Sequence, residues 1–109
     1  MNAAVADVSP ARVGMDIRIT EKMFQQAVVD YARYRGWATY HTYNSRRSEP
    51  GFPDLVLLKG ERLLFAELKT MRGRVSPAQE LWAVRLKSAA APVYLWRPNM
   101  WPQIEQVLG

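Results

Sequence analysis

Three charged side chains lie within or beside two strongly apolar segments of the chain. In the stretch GFPDLVLLKGERLLFAELK, residues 51–69, they are Asp54, Glu67 and Lys69. Ionised groups are rarely buried in proteins unless they are paired or bind a metal. Glu67 and Lys69 are two residues apart, so on a strand both side chains point to the same face. These three groups therefore need either an ion-pair explanation or a chemical one.

The short turn KGE between the two apolar segments determines how the carboxylates are placed. If the two residues after Lys59 form a type II′ loop, Lys59 pairs with Arg62. Counting back along both strands then places Asp54 opposite Glu67, with Cβ atoms roughly 4.5–5.5 Å apart. A three-residue loop would shift the register by one position and would still leave the two acids as neighbours.

Two carboxylates held side by side repel each other unless one takes a proton or a cation lies between them. Lys69 is one possible cation, and a salt bridge without chemistry is then the alternative explanation. A divalent metal is the other, since Mg²⁺ prefers one or two carboxylates with several waters and phosphate oxygens. A metal can polarise a phosphate and lower the pKa of a bound water, and an ammonium group can assist both. The set therefore predicts metal-assisted phosphodiester hydrolysis.

The composition agrees with a nucleic-acid substrate. The 109 residues carry a formal net charge of +5, which favours a polyanionic partner. The absence of cysteine excludes disulfides, zinc–thiolate sites and thiol nucleophiles. No apolar run approaches the ~18 residues that a membrane span needs, and no signal peptide is indicated. We expect a cytoplasmic protein with no membrane partner and no small-molecule cofactor.

The remaining pattern predicts one α/β domain with the order α-β-β-β-α-β. Helices are predicted over 20–35 and 76–90, strands over 37–43, 54–58, 62–69 and 92–97, and a short helix or turn at the end. Thr20 and Ser76 are the expected N-caps, and Gly36 ends the first helix. We expect residues 1–18 to be a flexible lead-in and residues 19–109 to form a mixed sheet flanked by helices.

Four segments, GFPDLVLL, LLFAELKT, GRVSPAQELWAVRL and PVYLWRP, resemble the VRR-NUC domain of the PD-(D/E)xK nuclease superfamily over about residues 20–98. The matching positions are Gly51, Pro53, Asp54, Glu67, Lys69, Ser76, Gln79 and Trp82. The resemblance implies a restriction-endonuclease-like core and DNA cleavage that depends on Mg²⁺ or Mn²⁺. It assigns the metal to Asp54, Glu67 and the backbone carbonyl of Leu68, and the attacking water to Lys69. It further implies a stand-alone phage or bacterial enzyme that acts as a homodimer on four-way (Holliday) junctions.

Two further residues are candidates for the same site. Glu21 lies on the core-facing stripe of the first helix, where the family's acidic residue falls and where it is a possible metal ligand. Its alternative role is to stabilise the helix N-terminus. Gln79 matches the glutamine that follows the lysine motif, but it is also placed to close a capping box with Ser76. These two roles compete for one side chain.

Contacts to DNA are expected from the loops around these motifs. The candidates are Arg46, Arg47, Arg72 and Arg74, with His41 and Gln25, for which a structural role is the stronger alternative. Trp37, Trp82 and Trp96 are expected in the core. Met100, Trp101 and Leu108 are expected to form an apolar tail that packs at a subunit interface.

Other functions remain open at this point. The chain is alternatively a nucleic-acid-binding module on a nuclease fold without chemistry, although such a module has no need of the intact Asp54, Glu67 and Lys69. A flap-selective or otherwise structure-selective nuclease is a second alternative. A small sequence-specific restriction-type nuclease is disfavoured, because 109 residues leave little insertion to read base edges.

Overall fold

The predicted order of helices and strands is confirmed in a computed structural model of the chain, which describes residues 19–42 and 49–109. The helices are α1 (Glu21–Tyr34), α2 (Pro77–Ser88) and α3 (Trp101–Leu108), the last preceded by a 3₁₀ turn (Pro98–Met100). The strands are β1 (Ala38–His41), β2 (Leu55–Lys59), β3 (Arg62–Leu68) and β4 (Val93–Trp96). They form a mixed sheet in the order β1-β2-β3-β4, antiparallel from β1 to β3 and parallel between β3 and β4. The expected lead-in over residues 1–18 lies outside the described residues.

Both predicted helix starts are formed by hydroxyl side chains. The Oγ1 atom of Thr20 accepts a hydrogen bond from the N–H of Met23 at 3.1 Å, and Ser76 Oγ accepts one from the N–H of Gln79 at 3.2 Å. Such caps satisfy N–H groups that have no partner inside the helix. After α1, Gly36 has a φ of +92°, a conformation that glycine adopts without steric cost. The predicted caps and the predicted stop are therefore confirmed.

The hairpin between β2 and β3 has the predicted register. Lys59 pairs with Arg62, and Gly60 has a φ of +60°, as the first position of a type II′ turn requires. Continuing the register by one residue beyond the last pair of the ladder sets Asp54 opposite Glu67. The two acids therefore meet at the edge of the sheet where β2 begins and β3 ends.

One face of the sheet packs against α1 and α3 and carries the core. Side chains alternate along a strand, so every second residue of β2 and β3 points to this face. The buried strand residues are Leu55, Leu57, Leu64, Ala66 and Leu68. From the helices, Phe24, Val28, Ala32 and Ile104 pack with them. Glu67 points to the opposite face, where α2 lies.

The C-terminal tail belongs to this core, and the subunit interface expected there is wrong. Trp101 and Leu108 have no exposed surface. The Trp101 ring meets Tyr31 edge-on at 5.7 Å, and the Leu108 carbonyl accepts a hydrogen bond from the Trp37 indole at 2.8 Å. Met100 is partly buried against the same cluster. The expectation failed because α3 folds back onto α1, a long-range contact that the local apolar pattern does not reveal.

The opposite face of the sheet is covered only in part. α2 lies over β3 and β4, and none of its residues is buried. Trp82, expected in the core, is half-buried against Phe52, whereas Trp37 and Trp96 are buried as predicted. Apolar residues that remain exposed on this face and on α2 are Tyr40, Leu58, Leu63, Leu81, Val84 and Leu95, hereafter the open apolar surface. Of the helices in the described ranges, none has the length and apolar character needed to cross a membrane.

Candidate active site

The GFPD segment is anchored between the sheet and α2. Gly51 has a φ of +90°, and a Cβ added to it would lie 2.4 Å from the carbonyl carbon of Ala78. Only glycine fits this close approach to the first turn of α2. The Phe52 ring is edge-on to Phe65 at 5.9 Å and to Trp82 at 5.2 Å. These contacts fix the chain immediately before Asp54.

Asp54 is held at the sheet edge by backbone groups. Its Oδ2 atom accepts a hydrogen bond from the N–H of Leu68 at 2.8 Å. Its own carbonyl accepts one from the N–H of Thr42 at 2.9 Å. Backbone groups at the ends of the two strands that flank β2 therefore orient Asp54. Its carboxylate lies at the C-terminal end of β3, beside Glu67.

Glu67 is an acid buried on the sheet face beneath α2, with only 7% of its surface exposed. Its Oε2 atom accepts a hydrogen bond from Gln79 Nε2 at 2.6 Å and lies 3.9 Å from Lys69 Nζ. Its Oε1 atom is also buried, and no donor in the described residues reaches it. An unpartnered buried carboxylate oxygen is costly unless a cation or a proton compensates for it.

The electrostatic environment of Glu67 opposes ionisation in the absence of such a cation. Burial raises the pKa of Glu67 to about 8, and the charge of Asp54 acts in the same direction. A hydrogen bond to Asp54 stabilises the protonated form further, whereas the Lys69 ammonium group favours the ionised form. The lysine alone therefore does not balance the two acids, which weakens the salt-bridge explanation.

Gln79 both closes the capping box with Ser76 and contacts Glu67, the two roles that the sequence offers as alternatives. Its Nε2 atom donates to Glu67, while its Oε1 atom accepts from the N–H of Ser76 at 2.8 Å. The two are compatible because the donor and the acceptor of an amide are different atoms. The capping box therefore holds the Gln79 side chain in the orientation that reaches Glu67.

Glu21 joins the site electrostatically from the start of α1. Its side chain is exposed, but neighbouring atoms remove part of the water around its carboxylate, and this desolvation raises the pKa of Glu21. The Asp54 charge raises this pKa further, whereas the Lys69 charge lowers it. In residues 19–42 and 49–109, no group of three or more His, Asp or Glu side chains is arranged to hold a metal ion. Glu21 therefore does not converge with Asp54 and Glu67 into a three-carboxylate cage.

The other candidate residues that the structure describes lie on α1, at the end of β1 and in the loop after β3. Gln25 is half-buried one turn beyond Glu21, and His41 is half-buried at the end of β1, paired with Leu55 next to Asp54. Arg72 and Arg74 are exposed in the loop after Lys69. Arg46 and Arg47 lie outside the described residues.

Sequence reasoning missed Arg97, which follows β4. Its Nη1 atom donates to the carbonyl oxygens of Thr70 at 2.6 Å and Gly73 at 2.8 Å, in the loop that leaves β3 after Lys69. Because β3 and β4 are parallel, they end at the same edge of the sheet. The sequence did contain a signal for Arg97. This arginine directly follows β4, and the end of a strand parallel to β3 falls beside the end of β3, which carries Glu67 and Lys69.

The sheet order, the flanking helices and the acids gathered at one sheet edge define a restriction-endonuclease-like nuclease fold. The sequence profile of the VRR-NUC domain matches residues 14–98, so the chain belongs to the VRR-NUC family of nuclease domains. None of the curated proteins is similar enough in sequence to count as a relative.

Solved structures agree on the fold. One named "VRR_NUC domain" has a TM-score of 0.66 at 20% identity and covers 81% of this chain and 92% of its own. A second, named "VRR_NUC domain protein", has a TM-score of 0.65 at 20% identity, with 84% and 91% covered. Hjc from Archaeoglobus fulgidus, a Holliday junction resolvase from an archaeal hyperthermophile, has a TM-score of 0.52 at 21% identity, with 70% and 67% covered.

Proposed function

We propose that the protein is a divalent-metal-dependent DNA endonuclease that hydrolyses phosphodiester bonds in branched DNA. The observation that carries the proposal is the buried Oε1 atom of Glu67, to which no donor among residues 19–42 and 49–109 is bonded, beside the Asp54 carboxylate. This pair fits a cation with a preference for one or two carboxylates, and Mg²⁺ and Mn²⁺ have that preference. Membership in a nuclease family supports the reaction class.

Asp54, Glu67 and the backbone carbonyl of Leu68 are the ligands we assign to the metal. The β2–β3 register, continued, sets Pro53 opposite Leu68. Proline has no N–H, so the neighbouring strand offers no backbone donor to the Leu68 carbonyl at this position. When bound, a divalent ion polarises the phosphate and lowers the pKa of the attacking water.

The remaining side chains then prepare this centre. Gln79 holds Glu67 through its Oε2 atom and leaves Oε1 for the metal. Lys69, on the same side of β3, orients the attacking water and stabilises the negative charge that grows on the phosphate. Glu21 contributes a further negative charge near Asp54 and Lys69, and it would accept a hydrogen bond from a water at this site.

DNA is expected to reach the site along the basic loops. Arg72 and Arg74 are exposed between Lys69 and the start of α2, so their charges can contact phosphates on either side of the cut. We assign the same role to Arg46 and Arg47, with His41 and Gln25 at the margin of the site. We propose a cytoplasmic location in a bacterial or phage-infected cell, where such a DNA substrate is present.

Four-way junctions are the substrate we favour, and a homodimer is the assembly. The structural likeness to Hjc, a Holliday junction resolvase, supports the substrate class. The open apolar surface supports pairing, because exposed apolar residues on neighbouring strands, such as Leu58 and Leu63, are typical of interaction sites. Two active sites related by a two-fold axis suit a junction that must be cut twice in a symmetric way.

Cleavage of labelled DNAs tests the proposal: a four-way junction, a flap, a splayed arm and a linear duplex, each with Mg²⁺ or Mn²⁺. We expect paired symmetric cuts in the junction and none without metal. Lys69→Ala should bind the junction and fail to cut it. Tight binding with no cleavage of any substrate in either metal would instead favour the non-catalytic binding module.

The unfolding temperature of the metal-free protein should fall as the pH rises. Burial keeps the pKa of Glu67 at about 8 in the folded protein, against 4.5 for an ordinary glutamate. Between these values the folded state binds a proton that the unfolded state lacks, so its stability decreases with pH. We expect a loss of several degrees between about pH 5 and pH 9, measured by calorimetry. Mg²⁺ or Mn²⁺ should raise the unfolding temperature more at high pH than at low pH, because Glu67 is ionised at high pH.

Glu67→Gln is the control for this prediction. Glutamine resembles the protonated acid and does not titrate, so the variant should lose most of this pH dependence and the stabilisation by metal. Equal slopes in the two proteins would contradict the assignment of the pH dependence to Glu67.

A further inference from the structure

The loop that follows Lys69 is folded back and held from β4. The N–H of Lys69 donates to the carbonyl of Trp96 at 3.0 Å, which continues the parallel pairing by one residue. Beyond that residue the chain leaves the sheet, and the N–H of Gly73 turns back to the carbonyl of Thr70 at 3.3 Å. The half-buried Arg97 then donates to the carbonyl oxygens of Thr70, at 2.6 Å, and Gly73, at 2.8 Å. Its guanidinium is therefore committed to closing the loop.

The closed loop lies against the lysine side chain. A Cβ added to Gly73 would stand 3.3 Å from the Cδ atom of Lys69, which is tighter than an ordinary van der Waals contact. The Lys69 side chain is only 13% exposed, and its Nζ atom lies 3.9 Å from Glu67 Oε2. A lysine stem has four rotatable bonds, so an enclosing loop reduces the positions that its ammonium group can reach.

We propose that Arg97 is a positioning residue for Lys69: it holds the carbonyls of Thr70 and Gly73, keeps the loop closed over the lysine stem, and so keeps the ammonium group beside Glu67. The proposal deepens the function of the same site, and its catalytic consequence rests on the nuclease activity proposed above. Arginine suits the role because its charge does not titrate and its planar fork presents several donors in one plane.

Arg97→Met keeps an unbranched side chain similar to the apolar stem of the arginine and removes the guanidinium donors. We expect trypsin to cut after Arg72 and Arg74 about tenfold faster than in the wild type, because the loop opens. We also expect an amine-reactive acetylating reagent to label Lys69 faster, with Lys59 on the distal hairpin as the internal reference in mass spectrometry. Neither measurement needs nuclease activity.

In cleavage assays, Arg97→Met should lower kcat by about 10- to 100-fold, a range typical of residues that orient a site's ligands. Junction affinity, measured in Ca²⁺ without cleavage, should stay within about twofold, as fits a positioning role. Arg85→Met is the matched control, since it removes an exposed arginine from α2 with the same change of charge. It should change none of the four readouts.

Arg97→Lys keeps the charge, and it provides a second test if Arg97→Met does not fold. The ammonium group of lysine has donors but lacks the length and the planar fork of arginine, so it should hold the two carbonyls less well. Each effect should therefore fall between those of the wild type and Arg97→Met. Unchanged trypsin cleavage and Lys69 labelling in both variants would overturn the proposal, and so would faster labelling with an unchanged kcat. If the wild type cuts no DNA, the proposed function fails, while proteolysis and labelling still decide whether Arg97 holds the loop over Lys69.

Discussion

We expect Asp54→Asn to lower the rate of the proposed junction cleavage by at least about a thousandfold while the protein stays folded. The Asp54 carboxylate accepts the N–H of Leu68 at 2.8 Å, and an asparagine oxygen can accept the same bond. The variant loses only the negative charge that the metal needs, and metal stabilisation of the transition state amounts to several kcal/mol. Each 1.36 kcal/mol corresponds to a tenfold change in rate, which gives the expected loss.

Single-turnover cleavage at saturating protein is the measurement, with junction binding in Ca²⁺ and the unfolding temperature followed in parallel. Asp30→Asn is the matched control, because Asp30 lies on α1 away from the acids and accepts a hydrogen bond from Gln26. It should leave cleavage within about twofold. Asp54→Asn should also lower the pKa of Glu67, because the Asp54 charge is one of the causes that raise it. Full activity of Asp54→Asn would contradict the assignment of Asp54 to the metal.

We expect Gly51→Ala to destabilise the protein by about 3 kcal/mol or more and to disturb the candidate active site from outside it. The position combines a φ of +90° with an approach of 2.4 Å between the added Cβ and the backbone of Ala78. Backbone strain and overpacking each cost about 1–3 kcal/mol. The clash pushes on the first turn of α2, which carries Gln79, so cleavage should fall as well.

Gly60→Ala separates the clash from the strain. Gly60 also has a positive φ, +60°, but an added Cβ there meets nothing within 4 Å. We expect it to cost about 1 kcal/mol and to leave cleavage unchanged, since only the backbone strain remains. Urea unfolding of both variants measures the difference. Equal costs would show that the contact between the GFPD segment and α2 is not tight.

Local patterns were enough to predict most of the backbone. Caps, glycine stops and alternating apolar residues depend on near neighbours in the chain, so the helices, the strands and their order followed from the sequence. The register of the β2–β3 hairpin followed as well, because a two-residue turn leaves one pairing for Lys59 and Arg62. This register brought Asp54 and Glu67 together before any tertiary contact was known.

Residues that act through long-range contacts were predicted less well. Trp101 has the apolar character of an interface residue, and only the return of α3 onto Tyr31 shows that it belongs to the core. Gln79 was weighed as a cap or as a site residue, and the packing of α2 over Glu67 shows that one amide does both. Arg97 was not singled out at all, because its partners lie more than twenty residues earlier in the chain.

The sequence by itself determined which chemical groups are present and how the hairpin pairs them, because short-range turn geometry sets that register. Only the tertiary structure decided how far those groups are buried, which hydrogen bonds they make and how their pKa values shift. The burial of Glu67 under α2 leaves its Oε1 atom without a donor in the part of the chain that the structure describes, and it raises the pKa of Glu67 to about 8. Burial and the loss of solvent depend on elements distant in the chain that pack around the carboxylate. Turn geometry thus brings the two acids together, and the packing of α2 buries Glu67 so that its charge needs a proton or a cation to compensate for it.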